Sequence, residues 1–299
     1  MYTIKQAADR SGVSVPLLRA WERRYGVVRP TRTASGYRLY DDAAIARLRA
    51  VRQLIDQGWS ARNASAAVSG LSDQAVGDML TEPSVREDAP LPSGVGVLVE
   101  HFVAAARSLD QAGMEAILDE VFSLGSFEQV ADGLLLPMMT AIGDAWHTGE
   151  LDVASEHLAT QMVQRRLGMA FQAAGRPVRG IRPVVVGLPP GSRHELGALA
   201  FAIAARRSAV AVLYLGPDLP EADWVTAARD SSARAAVIAV PTVADAAAAA
   251  RVADALRESI PNLLVAFGGS AAAAVPTTDG LRLSGEVAQS VDRLRSALG

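Results

Sequence analysis

Residues 191–197 read Gly-Ser-Arg-His-Glu-Leu-Gly, between an apolar run (183–188) and an Ala-rich amphipathic segment (196–207). That order is a strand, a short loop and a helix of an open α/β sheet. Such loops stand at the carboxyl ends of the strands, where doubly wound folds bind their ligands, so His194 offers an imidazole to whatever binds there. Further along, 263–267 followed by Gly268 and Gly269 repeats the strand-then-glycine pattern. Paired glycines let a bulky ligand approach the backbone. A second chemistry is available near the N-terminus. Residues 15–25 read as a helix whose Leu18 and Trp21 face a core, leaving Arg19, Arg23 and Arg24 outward. Guanidinium groups suit phosphates and guanine edges, although a solvated basic helix has the same look.

The elements that must hold these residues follow from pattern and composition. The chain has 299 residues, half of them hydrophobic, which predicts two or three domains. It contains no cysteine, excluding disulfides, zinc–thiolate sites and Fe–S clusters. No leader-like or membrane-spanning apolar stretch is visible, so the expectation is a soluble, cytoplasmic protein with no membrane partner. The net charge of −3 is unevenly spread. Residues 1–70 hold 12 Lys and Arg against 5 Asp and Glu, and the remainder 17 against 27. A basic head on an acidic body predicts that the head meets a polyanion.

In that head, residues 4–11 predict a short helix ended by Gly12, and Ser14 and Pro16 open the second helix as N-cap and first-turn residues. Two short helices around a Gly-containing turn read as helix-turn-helix. Residues 29–40 flank a Ser-Gly turn with Arg and Tyr, the pattern of a small β-wing. Asp41 and Asp42 cap a helix over 43–57, with Ile45, Leu48, Val51 and Leu54 on one face, and Ser60 begins another short helix. The run from Thr3 to Tyr40, with Arg-Ala-Trp-Glu-Arg-Arg-Tyr-Gly at 19–26 and Gly-Tyr-Arg-Leu-Tyr at 36–40, resembles the MerR-family winged helix. The resemblance implies double-stranded operator DNA as partner. Arg19, Arg23 and Arg24 would lie in the major groove, and Arg32, Tyr37 and Arg38 of the wing on phosphates.

Residues 76–96 read as a Pro-rich polar linker. From 97 to 176 the apolar period is helical, with breaks near 110–113, 125–126 and 149–151, which predicts a four-helix bundle. His101, His147 and His157 fall in it. Trp146 precedes His147, and Glu156 precedes His157; taken alone, Trp146 reads as core and the polar residues as exposed. The rest alternates strands (184–187, 211–215, 236–240, 263–267, 281–284) with helices (195–207, 221–231, 244–258, 286–298), the order of a parallel sheet. Neither G-x-G-x-x-G nor a P-loop occurs. The expected fold is therefore α plus α/β: winged helix-turn-helix (1–75), linker (76–96), four-helix bundle (97–176) and a doubly wound, flavodoxin-like parallel sheet (177–299).

His-x-x-Gly at 194–197 with the later Gly-Gly resembles the cobalamin-binding fold. Trp-His ahead of Glu-His in a preceding bundle resembles the cap of the CarH/LitR family of light-sensing repressors. What the resemblance implies is specific. His194 would ligate cobalt from below, with Gly197, Gly268, Gly269 and Thr242 along the cofactor. Trp146 would shield the adenosyl group, Glu156 and His157 would contact adenosine, and His147 would take the upper cobalt position after photolysis. The family has an acid two residues before the lower His, and this chain has Ser192. The implied protein is a homotetramer on DNA in the dark, with adenosylcobalamin bound, which falls to monomers and leaves DNA when light breaks the Co–C bond; its targets would include carotenoid genes. Two rivals stay open. The sensor takes another tetrapyrrole or acts without ligand; or the module is a corrinoid carrier of a methyltransferase or mutase, against which stands the missing TIM-barrel length. No enzyme activity is expected.

Overall fold

The computed structural model describes residues 1–33, 36–56, 61–81, 96–175, 180–277, 279–283 and 285–299. By contacts it divides into two units, 1–95 with 115–127, and 96–114 with 128–299.

The first unit opens with β1 (Tyr2–Thr3), α1 (Ile4–Ser11) and α2 (Val15–Tyr25), then β2 (Thr31–Arg32), β3 (Arg38–Tyr40), α3 (Asp42–Asp56), α4 (Ala61–Ser69) and α5 (Asp73–Thr81). Thr3 and Gln6 form a reciprocal capping box at the start of α1, and Gly12, at φ 70°, ends it; that left-handed turn is cheap for glycine. Ser14 has the extended N-cap backbone before α2, but its hydroxyl makes no capping bond; the Pro in the first turn presets the helix instead. Asp41 caps α3 as expected, accepting from the Ala44 amide at 2.7 Å. Leu18, Trp21, Tyr40, Leu48, Val51 and Val68 close one core.

The three strands form an antiparallel sheet in the order β1-β3-β2. The two-residue β1, registered Tyr2 to Tyr40, is too short to leave a period in the sequence. Helix α5 covers residues 76–81 of the expected linker; the rest of that linker, 82–95, lies outside the described residues, as does Ser35 of the wing turn.

Four helices follow where periodicity predicted them: α6 (Gly96–Arg107), α7 (Gln111–Val121), then α8 (Phe127–Val130) running through a π-helical turn, Ala131–Leu135, into α9 (Leu136–His147), and α10 (Val153–Ala173). α6, α9 and α10 pack on one another, whereas Glu115–Phe127 groups with the first unit. Pro137 lies in the first turn of α9. It lacks the N–H that would continue the α-helical ladder, and the wider π turn comes immediately before it.

The remaining strands are β4 (Val184–Gly187), β5 (Val212–Gly216), β6 (Ala235–Ala239), β7 (Leu264–Gly268) and β8 (Leu281–Leu283), with α11 (Leu196–Arg207), α12 (Glu221–Asp230), α13 (Ala246–Ser259) and α14 (Val287–Leu298) between and after them. The sheet is wholly parallel in the order β5-β4-β6-β7-β8, the flavodoxin-like arrangement. Central strand β4 is buried at every residue, as a strand covered on both faces must be. In α11 every residue from Ala198 to Ala205 is buried, because α10, α14 and the sheet all pack on it; alanine at five of these eight positions lets them come close.

Candidate functional site

On α2, Arg19, Arg23 and Arg24 are exposed, as are Arg29, Arg32 and Tyr37 of the wing region. Among the described residues none of these guanidinium groups is held in an ion pair. The wing is shaped locally: the Thr33 amide donates to the Tyr37 carbonyl at 2.9 Å, the Tyr37 amide to the Thr33 hydroxyl at 3.0 Å, and Gly36 turns at φ 82°. Arg38 departs from the expectation. Its Nε donates to Glu22 at 3.0 Å, and Glu22 also accepts from the Tyr40 phenol at 3.2 Å. Burial and the Glu22 carboxylate push that phenol up to about 12. Arg38 therefore fastens the wing to α2. Other basic side chains serve the fold too: Arg47 binds Asp73 and the carbonyls of Val68 and Leu71, and Arg49 the carbonyl of Arg10. Arg29 belongs with the exposed set, although the sequence reading did not single it out.

In the second unit, a cavity of about 430 Å³ opens at the carboxyl ends of β4, β6 and β7. The structure brings four predicted residues to its wall: His194, Gly197, Gly268 and Gly269. His194 is exposed, and among the described residues nothing hydrogen-bonds its ring. A Cβ built on Gly197 meets no heavy atom within 4 Å, so only an incoming ligand would exploit the missing side chain. Gly269 is different: at φ 97°, its Cβ would stand 2.7 Å from the Val240 carbonyl oxygen, so the fold itself needs glycine there. Ser192 is buried and its Oγ has no hydrogen-bond partner. An orphaned buried hydroxyl is uncommon and costly.

Thr242 does not line the cavity. It is exposed and its hydroxyl donates to Asp245 at 2.6 Å, capping a short 3-10 turn. The serines on the wall are Ser270, which donates to the Pro241 carbonyl at 2.6 Å, and Ser290. Asp132, from the π turn, also lines the wall, and both its carboxylate oxygens accept from the Val287 amide at 2.9 Å. Burial raises the Asp132 carboxyl above its ordinary value, against that backbone bond.

The bundle residues lie elsewhere. Trp146 ends α9 with 49% of its surface exposed and His147 beside it exposed, so Trp146 is not core. Glu156 and His157 lie in the first two turns of α10, capped by Asp152, which accepts from the Ser155 amide. His157 Nδ1 faces Glu156 Oε2 at 2.8 Å, and Glu156 Oε1 accepts from the Thr160 hydroxyl at 2.8 Å. None of these four lines the cavity.

Residues 2–71 match the model of the MerR HTH family regulatory proteins, and residues 98–170 that of the B12 binding domain. The HTH-type transcriptional repressor CarH of Myxococcus xanthus is 35% identical over 222 residues, spanning 74% of this chain and 73% of that one. CarA of the same organism, also an HTH-type transcriptional repressor, is 32% identical over 221 residues, 73% and 69% of the two chains. The chain belongs to the CarH and CarA family. It is thus a MerR-type transcriptional regulator with a B12-binding domain, not an enzyme. The monomethylamine corrinoid protein of Methanosarcina barkeri shares the fold at 13% identity and a TM-score of 0.54, covering 68% of this chain and 99% of that one.

The residues present fit a corrin. The exposed ring of His194 and the open space over Gly197 are what such a ligand would use, whereas Ser192 is buried and not on the cavity wall.

Proposed function

We propose that this family member is a light-responsive, adenosylcobalamin-dependent repressor acting in the cytoplasm. The observation that carries the reading is the free imidazole of His194 at the mouth of a glycine-walled cavity, on a chain that also carries an exposed Trp-His pair and a Glu-His pair. When bound, the cofactor supplies a cobalt–carbon bond that light cleaves. The protein's part is binding and shielding. His194 offers a nitrogen as lower ligand, Gly197 and Gly268 leave room for the macrocycle, and the apolar cavity with Ser270 takes the nucleotide tail. The Trp146 indole would pack on the adenosyl group and exclude water; Glu156 and His157 would accept from and donate to its sugar and base. His147, exposed beside Trp146, would supply a nitrogen to cobalt after photolysis. In the dark the loaded chains assemble as tetramers, and several weak basic heads on one operator gain avidity through effective concentration. Loss of assembly leaves each head with its salt-sensitive phosphate attraction, and the operator is released.

Incubation with adenosylcobalamin in the dark and removal of free ligand tests the binding step. A corrin spectrum retained by the wild type and lost in His194→Ala is the expected result; no retained corrin contradicts it. Ser192, standing where the family has an acid, favours one second reading: a sensor for another tetrapyrrole, or one that assembles without ligand, under an unchanged DNA-binding head.

A further inference from the structure

We propose that Glu195 is a positioning residue that ties the His194 loop to helix α10, so that both faces of the ligand site are set by one rigid element. Each carboxylate oxygen of Glu195 is engaged. Oε1 accepts a close hydrogen bond from Gln164 Nε2 on α10, and Oε2 accepts from the Tyr214 phenol on β5 at 2.7 Å. The Gln164 amide is itself oriented, because its oxygen accepts from Gln161 Nε2 at 3.2 Å and leaves the NH₂ facing Glu195. Burial and the adjacent carboxylate raise the Tyr214 phenol well above its ordinary value, so it stays a donor.

A second hold lies two helical turns on. Phe171 of α10 meets Tyr214 edge-on at 5.8 Å, and the Arg206 guanidinium lies 3.5 Å above the Phe171 ring while donating to the Phe171 and Val212 carbonyls. Positions 164 and 171 fall on one face of a helix. That helix runs unbroken from Val153 to Ala173 and carries Glu156 and His157 near its start. A displacement of α10 longer than a hydrogen bond must therefore break the Glu195 bridge. As long as the bridge holds, His194, the preceding residue, keeps its place relative to Glu156 and His157 on the same helix. The bridge is a feature of the fold; its use as a coupling between lower ligand and upper cap rests on the function proposed above.

The test uses the full chain with Gln164→Leu, Glu195→Leu, Tyr214→Phe and the double variant Gln164→Leu/Glu195→Leu. In ligand-free protein, hydrogen exchange over residues 191–199 should rise about tenfold in Gln164→Leu and in Tyr214→Phe, each the loss of one hydrogen bond to a charged group, and further in Glu195→Leu, which loses both. The double variant should show no more than the Glu195 variant alone, as partners in one interaction do. With adenosylcobalamin in the dark, Tyr214→Phe should release corrin about tenfold faster and lose the absorbance of the imidazole-bound form. Met169→Ala, on the exposed side of α10, should change neither. Unaltered exchange, additive effects, or an equal effect of Met169→Ala would overturn the proposal. If the wild type retains no corrin, the functional reading fails on its own, and the ligand-free exchange still decides the bridge.

Discussion

Among the described residues, the buried hydroxyl of Ser192 has no hydrogen-bond partner. Ser192→Ala is expected to leave thermal stability of the ligand-free chain unchanged or slightly raised, since removing an unsatisfied buried hydroxyl removes a cost. It should weaken corrin retention several-fold, because the hydroxyl is then missing when the His194 ring needs an acceptor. Equal affinity of the two proteins would show that Ser192 plays no part in binding. Ser192→Glu places a carboxylate at this position and should tighten retention about tenfold, the scale on which outer-shell partners act on a metal-binding imidazole.

Residues at this scale were partly legible. That His194, Gly197, Gly268 and Gly269 share one cavity wall followed from position, since strand-end loops gather at one edge of a doubly wound sheet. Thr242 sits in an equally plausible loop, yet its hydroxyl is spent on Asp245, and no sequence signal separates it from Ser270. The Arg38–Glu22 pair was not legible, because a wing arginine that faces solvent and one that binds Glu22 have the same spacing from the turn.

Among elements, α2 and the wing are joined by Glu22, whose carboxylate holds both Arg38 and Tyr40. Glu22→Gln should lower the stability of the first unit, read as a fall in its melting temperature. Arg23→Ala, an exposed residue without a partner, should leave that temperature unchanged, weaken binding across DNA sequences and reduce the salt slope by about one. A loss of melting temperature in Arg23→Ala would mean that the helix needs it for folding.

The π turn positions Asp132 over the start of α14, whose own N-cap residue, Glu286, makes no capping bond. The raised carboxyl of Asp132 means that the folded protein holds that proton more firmly than the unfolded chain. Its contribution is thus most favourable below the ordinary value of 3.8 and is lost as pH rises through the raised one. Asp132→Asn keeps an acceptor for the Val287 amide without the charge. It should be more stable than the wild type near neutral pH, with the advantage fading under acid; a constant difference across pH would refute the assignment. None of this was readable beforehand. Pro137 marked only a helix start, and the Val287 contact spans 155 positions. The strands of the sheet, by contrast, were found within a residue or so, because most are short apolar runs set between helical stretches.

At the scale of the whole molecule, the charge division already separates a DNA-binding head from an acidic remainder, and the family assignment supplies the regulator. What joins them is the proposed assembly. If affinity for the operator comes from avidity, a chain with Trp146→Ala should still bind corrin through His194 but assemble poorly in the dark, because the adenosyl face loses its cover. Its operator affinity should then resemble that of the illuminated wild type.

The measurement that reaches the central claim most directly is an electrophoretic shift of operator DNA by the adenosylcobalamin-loaded chain, in darkness and after green illumination, with size-exclusion chromatography on the same two samples. The account predicts a retarded complex and a large species in the dark, and free DNA and a small species after light. A shift that survives illumination, with the elution volume unchanged, would contradict it.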